Sequence, residues 1–285
     1  MADAKTRISG IGHRYAIVAR LGADGVPEAT APGSAPTLGV FVERVKEFSP
    51  SDPTPRREVH LGDDLPYAQD SLPPAEVGSF TVSTSQVNLD LEALLTNQRV
   101  AQLGASAKIA ALGVNTNRRG SEPLFFYMSG RQALDTGKAS PTAGALRQWE
   151  FIIYPSVRFS PSSHGFGAGA TDKTYQATPT PANKAPWGEA FTEAVWGFTS
   201  AEALRLVSNY PLFPNWWLGN GTLTTFQLSH APAGSGTDTL KVWVNGSLVV
   251  PSSVNLSSPS FALSTAPSSG SYIFALIETD KLGGT

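Results

Sequence analysis

The chain has 285 residues, a formal net charge of −2 and only 15% charged residues, where an ordinary soluble domain has about a quarter. The near-neutral balance argues against a duplex-DNA binder, which carries a basic patch. The absence of cysteine removes disulfides, thiolate metal sites and a cysteine nucleophile.

The length suits one large or two ordinary domains. No apolar run approaches the roughly 20 residues of a membrane-spanning helix, and residues 1–10 lack the apolar core of a signal peptide. Neither a membrane partner nor export by that route is expected. The low charge has two readings: a surface that faces protein, since charge is depleted at interface cores, or a loop-rich β protein with a polar, uncharged surface.

Residues 14–21 and 38–48 read as β-branched strands, the first closed by the turn signal Gly22-Ala-Asp-Gly25. A loop rich in Pro, Gly and Thr is expected at 26–37 and another, with three prolines, at 49–57, followed by a short strand at 58–61. Residues 63–74 read as a long exposed loop or hairpin tip. Residues 78–89 alternate apolar with Ser and Thr, which predicts a strand, and Asp90 is placed to cap a short helix through Leu91, Leu94 and Leu95. Residues 101–112 are alanine-rich and helical in composition, weakened by Gly104.

Residues 124–128 and 146–159 are strands. The second is the strongest in the chain, with Trp149, Phe151 and Ile153 on one face and Glu150, Ile152 and Tyr154 on the other. A glycine-rich loop at 160–171 follows, then strands at 174–180 and 190–198. Thr199-Ser-Ala-Glu202 matches a capping box and predicts a helix with Leu204, Val207 and Tyr210 on its apolar face, stopped by Pro211 and Pro214. Residues 215–220 read as a junction. Beyond it come about five short strands, including residues 240–244 and 248–250 joined by Asn245-Gly246, the strongest short hairpin signal.

These elements predict a mainly β protein with one or two short helices, divided into a core at 1–218 and a small β-sandwich at 219–285. Sites of chemistry are hard to find. His13, His60, His164 and His230 have no metal-spaced partner, and four separate histidines is the simpler reading. The glycine-rich loop lacks the Gly-Lys-Ser/Thr of a phosphate loop. Asp63, Asp64 and Asp70 lack the spacing of a calcium loop. No Gly-x-Ser-x-Gly elbow occurs. Trp187, Trp196, Trp216 and Trp217 have two readings, a sugar platform or β-core filling, and core filling is the simpler. No enzyme activity, metal or cofactor is expected.

The segment Gly78-Ser-Phe-Thr-Val-Ser-Thr-Ser-Gln-Val-Asn-Leu-Asp-Leu-Glu-Ala-Leu-Leu-Thr96, the long strand at 149–159 and Asp172-Lys-Thr-Tyr-Gln-Ala-Thr178 resemble, in style and order over about residues 8–218, the tail tube proteins of siphophages. The C-terminal part is similar to a β repeat of phage virion proteins. It carries Thr224-Thr-Phe-Gln-Leu228, Pro232, Leu240-Lys-Val-Trp-Val-Asn-Gly246, Phe261-Ala-Leu-Ser-Thr-Ala-Pro267 and Gly270, with Val254-Asn-Leu-Ser257 where that repeat often has a tyrosine-containing segment.

The resemblance implies a β-sandwich or barrel core with a flanking helix and a decorating outer domain. It implies hexameric rings stacked into a hollow tube, with other tail proteins such as the tape measure and the tail terminator as partners. Viral DNA passes through the lumen without sequence-specific binding, and the protein belongs to the virion after assembly in the host cytoplasm. Assembly contacts are expected from Asp63, Asp64, Tyr67 and Asp70 between rings, and from Glu150, Ile152 and Tyr154 on the longest strand. A capsid decoration or head–tail joining protein, or a receptor- or carbohydrate-binding tail protein, are the alternatives.

Overall fold

The computed structural model describes residues 8–29, 36, 39–43, 45–51, 56–62, 65–72, 79–84, 88–96, 100–102, 110–112, 123–135, 147–160, 173–180, 203–234 and 239–280. In chain order the described elements begin with β1 (Ile8–Arg20), β2 (Val40–Glu43), β3 (Val45–Ser51), β4 (Arg56–Gly62), β5 (Leu65–Leu72) and β6 (Ser79–Thr84). Then come α1 (Leu89–Thr96), β7 (Val100–Gln102), β8 (Ala110–Leu112), β9 (Phe125–Asp135), β10 (Arg147–Ser160), β11 (Lys173–Pro179) and β12 (Leu204–Ser208). The C-terminal part contains β13 (Leu212–Leu218), β14 (Thr225–Gln227), β15 (Leu240–Val244), β16 (Ser247–Val249), β17 (Ser253–Asn255), β18 (Ser260–Ala262) and β19 (Tyr272–Glu278). The fold is mainly β, and every pairing among the described residues is antiparallel.

The largest sheet runs β2-β1-β9-β10-β11-β6-β3, with β12 added beside β10. Its two end strands, β2 and β3, are separated in the chain only by Arg44. The sheet therefore curls until its two end strands follow one another along the chain. Aromatic contacts across the interior fit this closure. Phe80 of β6 lies 5.0 Å from Tyr127 of β9, measured between ring centroids, although β10 and β11 stand between those strands in the sheet. Phe48 of β3 stacks on the same Tyr127 at 6.0 Å. Ala16, Val18, Val42, Val82, Phe125, Tyr154, Val157, Phe159, Tyr175 and Ala177 complete this filled interior. Among the described residues it is a packed core.

Alternate residues of the same strands point outward: Tyr15 and Ile17 of β1, Phe126 and Met128 of β9, Trp149, Phe151 and Ile153 of β10. They are buried against a second sheet, β13-β19-β15-β16, through Leu212, Phe213, Trp216, Trp243, Phe274 and Leu276. The far face of that sheet packs through Trp217, Leu240, Val242, Ile273, Ala275 and Ile277 onto Phe226 and Phe261 of a third sheet, β14-β18-β17. Trp216 and Trp217 are neighbours in sequence and fully buried on opposite faces of β13, as the two-residue period of a strand requires. Each removes ~150–250 Å² from water, about 4–6 kcal/mol of gross transfer energy. Neither presents a ring to a ligand. Trp187 and Trp196 lie outside the described residues.

Several expectations are corrected. Residues 204–208 form a strand, not a helix, because Leu204 and Leu206 alternate with Arg205 and Val207 and the segment completes a ladder with β10; Thr199–Glu202 lie outside the described residues. The alanine-rich stretch is a two-stranded ribbon, Val100 pairing with Leu112, so propensity yields to pairing there. The strand expected at 38–48 divides around Arg44 into β2 and β3, and β3 extends through Pro50 into the expected loop. Residues 215–218, read as a junction, are the second half of β13, which pairs with β19 from Leu212 to Leu218. The strands expected at 190–198 and the glycine-rich loop at 161–171 lie outside the described residues.

The helix cap also differs. Asn88, not Asp90, caps α1: its Oδ1 accepts from the Leu91 N–H at 3.0 Å while its Nδ2 donates to the Phe41 carbonyl. Asp90 lies within the first turn, where a negative charge suits the helix N-terminus. One turn on, Glu92 pairs with Lys173 of β11 at 2.6 Å, both side chains largely buried. That pair ties α1 to the barrel wall, and breaking a buried pair typically costs ~3–5 kcal/mol.

Candidate functional site

Of the residues expected to mediate assembly, Tyr67 and Asp70 lie on β5, and Asp63 and Asp64 fall in the connection between β4 and β5, outside the described residues. Residues 65–72, expected as loop or hairpin tip, are thus the return strand of a hairpin. β4 and β5 pair with each other over Arg56–Gly62 and Leu65–Leu72, with one irregularity between His60 and Leu61. Among the described residues no third strand joins them. A two-stranded ribbon alone is marginally stable in water. This one leaves the barrel between β3 and β6, two strands that pair directly, so it is an insertion at a turn and not part of the wall.

Glu150, Ile152 and Tyr154 share a face of β10, as expected. Tyr154 is buried in the barrel interior with its ring 4.6 Å from that of Phe80, and Ile152 packs at the margin of that core. Glu150 sits at the end of the row, with 14% of its side chain exposed. Arg131 of β9, directly opposite in register, donates from Nε to Glu150 Oε2 at 2.7 Å, and Arg205 of β12 donates to Oε1. Burial pushes the Glu150 carboxyl up, but the hydrogen bonds and charges of Arg205 and Arg131 outweigh it and hold the group below the usual carboxylate range. The trio joins three adjacent strands. The arginines were not foreseen, because only the register reveals which residue faces Glu150. The β4–β5 ribbon and the Glu150 trio are on separate elements that do not pair.

A second polar group was also missed. The Tyr15 hydroxyl donates to the Leu212 carbonyl at 2.6 Å and accepts from the Leu212 N–H at 3.1 Å. It thereby holds the outer edge of β13 against the barrel. Nearby, the fully buried Asn215 donates from Nδ2 to the Pro214 carbonyl and to Ser229 Oγ, and accepts the Ser229 N–H. Ser229 Oγ lies 2.8 Å from His230 Nδ1, and the imidazole stacks on Phe213 at 3.9 Å.

A serine beside a histidine invites a nucleophile–base reading. The third member here is an amide, which donates to the serine and does not orient the imidazole. The arrangement instead fastens the start of β14's return to β13. Burial lowers the His230 pKa.

Among the described residues no group of three or more His, Asp or Glu side chains is placed to hold a metal ion, and no helix is long and apolar enough to cross a membrane. What the described residues offer is strand edges and a two-stranded ribbon outside the main sheet. No protein-family model matches the chain, and no curated protein matches it.

Proposed function

We propose that the chain is a non-enzymatic structural subunit of a virion, the repeating unit of a phage tail tube. Hexameric rings of it stack into a hollow conduit for DNA, with the tape measure and tail terminator proteins as further partners. The observation that carries this reading is the β4–β5 ribbon, an arm inserted between two directly paired strands of a closed barrel, without a third strand among the described residues. Such an arm gains stability when a neighbouring copy covers it. Asp63, Asp64, Tyr67 and Asp70 then make the contact between rings.

The filled barrel interior means that a conduit must lie between subunits, enclosed by the ring. A chain with a net charge of −2 suits that role, since a duplex slides past a wall that does not collect its phosphates. In this reading Glu150 offsets one of the two positive charges of Arg131 and Arg205 and so reduces their attraction for phosphate.

Negative-stain electron microscopy of the purified chain over a concentration series tests the proposal. Hollow tubes or six-fold rings are expected, together with their loss when residues 56–72 are replaced by a short glycine–serine link while the near-UV circular dichroism of the barrel aromatics is kept. A chain that stays monomeric at every concentration, including in the presence of preformed tail-tip complexes, overturns it.

A further inference from the structure

The dipeptide Asn-Gly occurs twice, as Asn220-Gly221 and Asn245-Gly246. In such a pair an asparagine side chain can react with its own backbone, because glycine has no Cβ to obstruct the approach to its nitrogen. The glycine nitrogen attacks the side-chain carbon Cγ, the Cγ–Nδ2 bond breaks, and ammonia leaves with the proton that the glycine nitrogen gives up. Water then opens the cyclic imide at either carbonyl, giving aspartate or isoaspartate. No reactant other than water is needed. Both asparagines are exposed, and both are followed by a glycine at positive φ, 82° at Gly221 and 81° at Gly246. Neither exposure nor the dipeptide separates the two sites.

Their hydrogen bonds do. At Asn245 both ends of the carboxamide are held from outside the turn. Oδ1 accepts from the Tyr272 N–H at 2.8 Å, and Nδ2 donates to Ser271 Oγ at 3.2 Å. The backbone N–H of Asn245 donates to the Tyr272 carbonyl as well. Cγ reaches the Gly246 nitrogen only after both side-chain bonds have broken, and each has a cost.

Asn220 lies between β13 and β14. Its Oδ1 accepts from the N–H groups of Thr222 and Leu223, each at 2.9 Å. Both donors lie within three residues on the same turn and move with it. They point at the oxygen on which negative charge gathers as Cγ is attacked, the arrangement that stabilises an oxyanion. Nδ2, which leaves, has no partner among the described residues. Space around Gly221 is open, since even an added Cβ would meet only Ser269 N, at 3.7 Å. The restraint is on the nucleophile: the Gly221 N–H donates to the Pro267 carbonyl at 2.9 Å. That is one backbone bond at an exposed turn, of the kind that opens locally at small cost.

We propose that Asn220 is a site of spontaneous modification, converted to aspartate and isoaspartate in the folded chain while Asn245 stays intact. Each conversion places a negative charge in an exposed turn within residues 206–237, which carry no Asp, Glu, Lys or Arg. Isoaspartate also lengthens the backbone between β13 and β14 by one carbon. The inference is independent of the tube reading, because it concerns one turn of a single chain.

The folded chain is incubated in mildly alkaline buffer, and trypsin then separates the two sites. Cleavage after Arg205, Lys241 and Lys281 puts Asn220 in the peptide 206–241 and Asn245 in the peptide 242–281. Mass spectrometry with fragmentation follows the amide-to-acid change at each residue. Conversion at Asn220 is expected about tenfold faster than at Asn245. In urea, where only the shared dipeptide acts, the two rates are expected to become alike. Ser271→Ala, which removes the acceptor of Asn245 Nδ2, is expected to raise the Asn245 rate about fivefold and to leave Asn220 unchanged. An Asn245 rate in the folded chain equal to that of Asn220, a gap that urea leaves intact, or an Asn220 that stays unmodified when folded yet reacts when unfolded overturns the proposal. An Asn245 rate untouched by Ser271→Ala overturns the account of its protection.

Discussion

The hydroxyl of Tyr15 is the smallest group on which the architecture depends. It satisfies a buried N–H and a buried C=O of the same residue, Leu212, where two sheets meet. Burial pushes its pKa far above the ordinary phenol value, with the hydrogen bond to the Leu212 carbonyl opposing, so it stays neutral and can play both roles. Tyr15→Phe keeps the ring stack on Phe213 at 5.5 Å but strands both backbone groups. An expected loss of ~1–3 kcal/mol would appear as a lower urea midpoint with an unchanged m-value. His230 provides a pH-dependent counterpart. Its neighbours Asn215, Ser229 and Phe213 are uncharged, and burial alone lowers its pKa. The unfolded chain, with an ordinary imidazole near pH ~6.5, therefore binds a proton before the folded chain does. The stability held above pH ~6.5 falls as pH drops toward the folded pKa. His230→Gln is expected to flatten that limb of a stability–pH profile, and an unchanged limb would assign it to other groups.

At the scale of elements, the β15–β16 hairpin is the place where sequence and structure agree most closely. Asn245-Gly246 supplies the two left-handed residues of the turn, and Asn245 does more: its Oδ1 accepts from the Tyr272 N–H at 2.8 Å and its Nδ2 donates to Ser271 Oγ. Asn245→Ala removes both bonds and puts a side chain poorly suited to positive φ at the turn. A loss of ~1–3 kcal/mol is expected, largely recovered by Asn245→Asp, which retains the acceptor and tolerates positive φ; equal losses in the two variants would assign the effect to the Nδ2 donor that both lack. Long runs of period two were legible in the same way, and the two faces of β10 were assigned from alternation alone. What escaped the sequence was information carried by pairing partners. Residues 204–208 have two leucines and a valine that fit either period, and only the ladder with β10 decides between them. Asn88 and Asp90 are both good caps, and the choice turns on the Phe41 carbonyl that Asn88 also reaches. The Glu150 trio has the same origin, since Arg131 and Arg205 lie 19 and 55 residues away in the chain.

For the whole molecule, the decisive fact is that the outward face of the barrel and the inward face of β13-β19-β15-β16 form one core. An outer domain that merely decorates could be removed at little cost. Here, ending the chain after Ser208 would expose Tyr15, Ile17, Phe126, Met128, Trp149, Phe151 and Ile153 at once, on neighbouring strands of one sheet. A contiguous apolar face of that kind far exceeds what monomeric proteins leave open. The shortened chain is therefore expected to bind 8-anilinonaphthalene-1-sulfonate strongly and to aggregate, while the complementary piece depends on where it starts. A fragment beginning at Gly219 lacks β13, hence the edge strand paired along its length with β19 and both Trp216 and Trp217. A fragment beginning at Pro211 keeps them. If the shared core governs stability, the longer fragment folds more cooperatively than the shorter but restores the dispersion of the barrel piece only when the two are mixed, by covering its open face. A barrel piece that is monomeric, silent to the dye and as heat-resistant as the full chain would mean that the interface contributes little to stability, and that the outer sheets were added to a barrel already complete without them.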